Sequence, residues 1–107
     1  MKTKLTSPWS KLFRQFKLKG RIIILCAKKD YNNIKIGMSI CNPKDIFNEK
    51  LGRKIAEDRT IHKRNLFIYS ICYIYEHEHI YGRYESELKI TEERIKLNPE
   101  EYIKSLN

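Results

Sequence analysis

Valine does not occur in this chain of 107 residues, and alanine occurs only at Ala27 and Ala56. In their place stand 16 Ile, 15 Lys, 7 Asn and 7 Tyr, the set favoured by A/T-rich codons, so abundant lysine is not by itself a sign of binding. Glycine is scarce as well, with four scattered residues, which excludes a glycine-rich phosphate loop. The three cysteines, Cys26, Cys41 and Cys72, include no C-x-x-C pair and cannot all pair within one chain. A disulfide framework is thereby excluded, and a reducing, cytosolic setting is expected. No apolar run approaches the roughly 18 residues of a membrane span. The positive N-terminus is not followed by the apolar stretch of about 7 residues that a signal peptide needs, so neither secretion nor a membrane is expected.

What is present suits one folded unit. A length of 107 residues matches a single domain, and 41% hydrophobic with 33% charged residues is too apolar for disorder. There is no internal repeat, low-complexity tract or Gly/Ser linker, so 1–107 is read as one small domain. Charge is polarised along it. Residues 1–64 carry 17 basic and 5 acidic side chains, whereas residues 65–107 carry 5 basic and 8 acidic. Codon bias does not polarise a chain, and a positive face that attracts phosphate or an acidic protein surface is the physical reading.

Hydrophobic spacing assigns the elements. Trp9, Leu12, Phe13 and Phe16 recur at i, i+3, i+4, i+7 behind Ser7-Pro8 and before Gly20, which predicts an amphipathic helix over 8–19. Ile22 to Ala27 is a β-branched run, and Ile34, Ile36, Met38 and Ile40 alternate with Lys35, Gly37, Ser39 and Cys41. Asp30, Asn32 and Asn33 between these segments tolerate turn conformations, so 22–41 predicts an antiparallel β-hairpin. Asn42-Pro43-Lys44-Asp45 has helix-start chemistry and predicts a helix over 43–59. Phe47, Leu51 and Ile55 stack along it, with Leu51 and Ile55 expected to be buried and Gly52 and Ala56 permitting close approach to the sheet. From Leu66 to Ile95, apolar residues step by 3 or 4, which favours a helical segment over 66–97 interrupted near Gly82. A third strand at 66–75 followed by a helix from 84 is the competing reading. Asn98-Pro99 ends this element, and 99–106 has room for one more short helical turn. The expected fold class is α+β: an N-terminal amphipathic helix, a hairpin packed on a helix, and a C-terminal helical segment.

Catalytic and metal-binding patterns are weak. His77 and His79 lie near Cys72, but helical zinc ligands want spacings of i+3 or i+4, and His62 is remote. Cys41 and Cys72 sit in apolar patterns, where burial raises a thiol's pKa and lowers its reactivity. Glu57-Asp58, Glu92-Glu93 and Glu100-Glu101 are adjacent pairs that point apart on a helix. No enzyme activity, metal or cofactor is expected. The strongest constellation is basic: Lys11, Arg14, Lys17, Lys19 and Arg21 before the hairpin, Lys28 and Lys29 at its turn, Lys35 on its strand, Lys50, Arg53 and Lys54 on the following helix, then Arg59, Lys63 and Arg64. Such a set neutralises phosphates, with Trp9, Phe13 and Tyr31 available for stacking on unpaired bases. A solvated lysine surface with local pairs such as Glu49 with Arg53 explains the same residues equally well.

The segment Gly37-Met38-Ser39-Ile40-Cys41-Asn42-Pro43-Lys44-Asp45-Ile46-Phe47-Asn48, continued by Gly52-Arg53-Lys54-Ile55-Ala56, resembles one found in small uncharacterised proteins of phages and prophages of low-GC bacteria. In those, a strand ends in Cys-x-Pro-x-Asp-x-Phe-Asp or Asn and a helix with Gly and Ala follows. The likeness covers about a fifth of the chain and does not extend past Arg59. Capping and packing account for Pro43, Asp45, Gly52 and Ala56, so it is a structural signature rather than an active site. It implies a phage origin and a role in the host cytoplasm as an anti-defence factor, such as an anti-CRISPR protein. Proteins of that kind act by occupying a partner, here a host defence protein or ribonucleoprotein complex. Direct, non-catalytic binding of DNA or RNA is the alternative.

Overall fold

The computed structural model describes residues 11–30, 33–61, 67–70 and 77–104. Its elements are β1 (Lys11–Leu18), β2 (Arg21–Asp30), β3 (Asn33–Cys41), α1 (Glu49–Asp58), β4 (Phe67–Ser70), α2 (His77–Leu97) and α3 (Pro99–Lys104). The fold is α+β. All strand pairings are antiparallel, and the strands lie in chain order β1-β2-β3-β4.

The expected N-terminal helix is instead strand β1. The residues Lys11 to Leu18 satisfy two periods at once, since Leu12, Phe16 and Leu18 also alternate along an extended chain. Short isolated helices are marginal, whereas extension lets all eight residues pair with β2, from Lys11 opposite Lys28 to Leu18 opposite Arg21. Gly20 is therefore a hairpin residue and not a helix stop. It has φ 79° beside Lys19 at φ 52°, and two successive positive φ values give a two-residue turn the twist that a hairpin requires.

The hairpin of β2 and β3 forms as the alternation indicates, with Ile22 opposite Cys41 and Asp30 opposite Asn33. Alternate residues of the sheet feed two separate apolar clusters. On one side Ile23, Leu25, Ala27, Ile34, Ile36 and Met38 pack with Tyr84, Leu88 and Ile95 of α2, with Tyr102 of α3 at the margin. On the other side Ile24 and Cys26 pack with Ala56 of α1, flanked by Phe13 and Phe47. The sheet thus sits between α1 and the α2–α3 pair.

Helix α1 starts later than position 43. Asn42 to Asp45 forms a turn closed by a 3.0 Å bond from Asp45 N–H to Asn42 C=O, and the helix is capped by Asn48, whose side chain accepts from Leu51 N–H at 3.0 Å. Both asparagines suit a cap. The later one leaves 43–48 to cross the end of the sheet and to bring Phe47 to the smaller cluster. The small residues then set the helix's rotation. A Cβ on Gly52 would lie 2.7 Å from Ile24 Cδ1, and one on Gly37 would lie 2.0 Å from the Ala56 carbonyl oxygen. With Gly52 and Ala56 against the sheet, Leu51 turns outward and is 53% exposed, and Ile55 is only half-buried, contrary to the burial expected of both.

The single helix expected over 66–97 is also replaced. Residues 67–70 form β4, paired with Asn33–Ile36, and α2 begins at His77; residues 71–76 lie outside the described set. Gly82 does not interrupt α2. It lies on the exposed side, where a Cβ would meet nothing within 4 Å. The short terminal helix expected after Pro99 is α3.

Candidate binding face

The structure divides the candidate cations between the two sides of the sheet. Lys11, Lys17, Lys28 and Lys35 occupy positions on the α1 side, and α1 itself carries Lys50, Arg53, Lys54 and Arg59. Arg14, Arg21 and Lys29 fall on the opposite side with α2, and Lys19 is in the β1–β2 turn. Lys63 and Arg64 lie outside the described residues, as do Trp9 and Tyr31.

On the α1 side, eight cations stand with four carboxylates of the described sheet and α1: Glu49, Glu57 and Asp58 on the helix and, by its place in the strand alternation, Asp30 at the end of β2. Glu57 accepts from Lys11 Nζ at 2.9 Å and from Lys28 Nζ at 3.2 Å. The Lys11 hydrogen bond, helped by Lys28 and opposed by partial burial, holds the Glu57 carboxyl below its ordinary value. Arg53 pairs with Glu49 at 3.1 Å, and its guanidinium carbon lies 5.2 Å from the centre of the Phe13 ring. Lys11 Nζ lies 5.9 Å from the same ring. Phe13, expected as a base-stacking platform, is thus already occupied by two cations of its own chain. Arg59 turns inward and donates to the Met38 carbonyl at 2.8 Å. Among the described residues, Lys17, Lys50 and Lys54 make no ion pair.

The α2 side is electrically more balanced. Arg14 and Lys96 converge on Glu92, with Lys96 Nζ at 2.6 Å. Burial pushes that carboxyl up, but the hydrogen bonds from Lys96 and Arg14 outweigh it and hold Glu92 below the ordinary value. Glu87 shows the opposite balance. Burial raises its pKa more than the charges of Arg83 and Arg94 lower it.

Among the described residues, groups suited to chemistry are not assembled. Burial pushes the Cys26 thiol up to about 12, far from a reactive thiolate. Cys41 is half-buried, its Sγ 3.6 Å from the Asn42 carbonyl oxygen. Among the described residues no three His, Cys, Asp or Glu side chains lie together as a metal site, while His62 and Cys72 lie outside that set. Nor is any helix among them long and apolar enough to cross a membrane.

The same side carries a groove that no sequence pattern marks. Beside α1, a groove of about 280 Å³ is lined by Ile22, Cys41, Ile46, Phe47, Leu51 and Ile55 together with parts of Ser39, Ile40, Asp45, Asn48 and Gly52. Ile46 at its mouth is 96% exposed. The available signal was an isoleucine placed between a turn and a helix cap, where no partner element requires one. No protein-family model, curated protein or solved structure matches the chain.

Proposed function

We propose that the protein is a non-catalytic, stoichiometric binder that docks its α1 side on a negatively charged partner, and that the partner is a host nucleic-acid-targeting defence complex, as for anti-CRISPR proteins. The observation that carries this reading is the grouping of eight cations on the α1 side against four carboxylates, with Lys17, Lys50 and Lys54 unpaired among the described residues. Charge of one sign on one side steers association and selects an anionic surface. The resemblance of residues 37–56 to phage proteins directs the reading to a host complex and to the host cytoplasm as its place of action.

Direct binding to DNA or RNA uses the same cations, since a phosphate backbone rewards them through counterion release. Base stacking is less well served, because Lys11 and Arg53 cover Phe13. The two readings separate in one experiment. Tagged protein is used to capture partners from host lysate with and without nuclease, and short oligonucleotides are titrated in parallel at low and high salt. The inhibitor reading expects one defined protein or ribonucleoprotein partner and weak binding of free oligonucleotides. Tight oligonucleotide binding that falls steeply with salt, with no protein retained after nuclease, replaces it by the nucleic-acid reading.

A further inference from the structure

We infer that the outer edge of β1 takes up, as an added antiparallel strand, an extended segment of a partner protein in which carboxylate-bearing and bulky apolar residues alternate. This inference rests on the reading of the chain as a binder of a protein partner, and it names the strand that holds the partner and the chemistry that selects it.

The register of the β1–β2 hairpin fixes which backbone groups face outward. Lys19 and Gly20 form a two-residue turn, so the closing bond joins Leu18 and Arg21, and bonded pairs recur at every second position. Leu12, Arg14, Phe16 and Leu18 therefore direct their N–H and C=O groups to β2, and those of Phe13, Gln15 and Lys17 point the other way. Lys29 shows the same parity from the far end of β2. Its N–H lies on the β1 side, past the last paired β1 residue, and is donated to Tyr84 Oη at 2.9 Å. β1 is the terminal strand of the sheet, and no described group bonds to the outward N–H and C=O groups of Phe13, Gln15 and Lys17. Residues 62–66 and 71–76 adjoin β4, which forms the opposite edge. From Leu12 to Leu18 the outer edge is about 20 Å long, room for a partner segment of about seven residues.

The two faces of that edge differ. In an antiparallel pair, directly opposed residues put their side chains on the same face. Partner residues opposite Phe13, Gln15 and Lys17 thus stand on the α1 side, and those opposite Leu12, Phe16 and Leu18 on the α2 side. Helix α1 packs on β2 and β3, which leaves Gln15 and Lys17 exposed. Lys17 makes no ion pair among the described residues, and the half-exposed Arg53 guanidinium overhangs Phe13. Carboxylates opposite Lys17 and Phe13 each meet a cation within cross-strand reach. On the α2 side the cations are committed, since Arg14 and Lys96 both hold Glu92 and Lys96 also lies 5.6 Å from the centre of the Phe16 ring. What that side offers a partner is the half-buried apolar surface of Leu12, Phe16 and Leu18. Acid on one face and apolar groups on the other is the period-two pattern of the inferred segment.

The same cations disfavour the other occupants. Lysine on an edge strand guards against pairing with an identical edge, and a second copy sets a net charge of +9 against its like. Residues 1–10, which lead into β1, bring Lys2 and Lys4 and no carboxylate.

The test titrates full-length protein into labelled acetyl-Ile-Glu-Phe-Thr-Ile-Glu-Leu-amide, whose two Glu fall opposite Lys17 and Phe13, read by fluorescence anisotropy. Saturable binding is expected, about tenfold tighter than for the peptide with Lys in place of both Glu. N-methylation of the Glu and Thr amides, which face β1, is expected to abolish it. N-methylation of the Phe and internal Ile amides, which face away, is expected to change it by less than about twofold. Gln15→Pro removes only an outward N–H, which an edge strand tolerates, and is expected to abolish binding with an unchanged circular dichroism spectrum. Lys17→Glu is expected to shift the preference towards the Lys peptide.

No saturable binding, equal binding of both charge types, or an equal effect of the two N-methyl series overturns the inference. So does a folded Gln15→Pro variant that binds as wild type; if that variant does not fold, the two N-methyl series decide alone. A concentration-dependent dimer in light scattering that Gln15→Pro dissolves overturns it in favour of a second copy. Displacement of the probe by a peptide of residues 1–10 overturns it in favour of the chain's own N-terminal segment. Host-complex capture by Gln15→Pro that equals wild type, while reversal of Lys17, Lys50 and Lys54 abolishes it, removes the edge and leaves the binder reading standing. Capture unaffected by either change removes both.

Discussion

The Arg14 guanidinium donates to the Glu92 carboxylate across 78 positions of sequence, tying β1 to α2 on the side of the sheet away from α1. Arg14 is therefore a structural cation and not part of the candidate binding face. Glu92 is also held by Lys96, and the Arg14 and Glu92 side chains are 34% and 13% exposed. Arg14→Glu is expected to cost about 1–3 kcal/mol in chemical denaturation, in the range of lost hydrogen bonds to charged groups. Adding Glu92→Arg is expected to recover part of that loss. A double variant no more stable than Arg14→Glu alone would show that the pair contributes nothing.

Surface cations of the α1 side behave differently. Reversing Lys17, Lys50 and Lys54 to Glu is expected to abolish partner capture while each change stays within about 0.5 kcal/mol of wild-type stability. Lys89→Glu, on the exposed part of α2, is the matched control and is expected to leave capture intact. Quantitative pull-down with denaturation curves for each variant checks both halves.

Two glycines are expected to respond in opposite directions to alanine. At Gly37 a Cβ would lie 2.0 Å from the Ala56 carbonyl oxygen and 2.9 Å from backbone atoms of Arg59 and Thr60, so α1 must move. A loss of about 3 kcal/mol, at the upper end for overpacking, is expected in urea denaturation. At Gly82 nothing lies within 4 Å, and Gly82→Ala is expected to stabilise by about 0.5–1 kcal/mol by removing a glycine from a helix interior.

Acid stability has two opposing contributions. Glu57, held down by Lys11, and Glu92, held down by Lys96 and Arg14 against its burial, have pKa values below the ordinary 4.5. Their stabilisation is present above about pH 4.5 and is lost as pH falls through their lowered values. Glu87, raised from 4.5 by burial, contributes in the reverse sense: its share is present below that value and is lost as pH rises through the raised one. Glu57→Gln is expected to flatten the acid limb of Tm against pH, and Glu87→Gln to raise Tm at pH 7 relative to wild type. A lower Tm for Glu87→Gln at pH 7 would assign Glu87 a favourable ion pair instead.

The parts of the fold visible in the sequence are those where local pattern and tertiary packing agree. The alternation of Ile34, Ile36, Met38 and Ile40 has one structural meaning, and the hairpin follows from it. Gly52 and Ala56 were legible as permitting close approach of α1 to the sheet, but the contact itself was assigned to Leu51 and Ile55, and the close approach of the two small residues is what turns Leu51 outward. Leu12, Phe16 and Leu18 satisfied both helical and extended periods, and only the ladder with β2 decides between them. Leu66 to Tyr75 was ambiguous for a related reason. An unbroken apolar run carries no period, and the four residues of β4 are fixed by pairing with β3. The basic constellation was legible as a composition. Its division between two sides of a sheet was not, because strand alternation separates Arg14 from Lys11 and Lys17 only once β1 is known to be extended.

The sheet's spatial order repeats its chain order, and this bears on the protein during synthesis. A chain emerging from the ribosome completes β1, β2, β3 and α1 before any of α2 exists. At that stage Leu12, Phe16, Ile23, Leu25 and Met38 form an uncovered apolar surface, closed only when Tyr84, Leu88 and Ile95 arrive. A stalled or prematurely terminated product ending before residue 77 is consequently the adhesive species, the one that chaperones bind and proteases clear, whereas the finished chain hides that surface within itself.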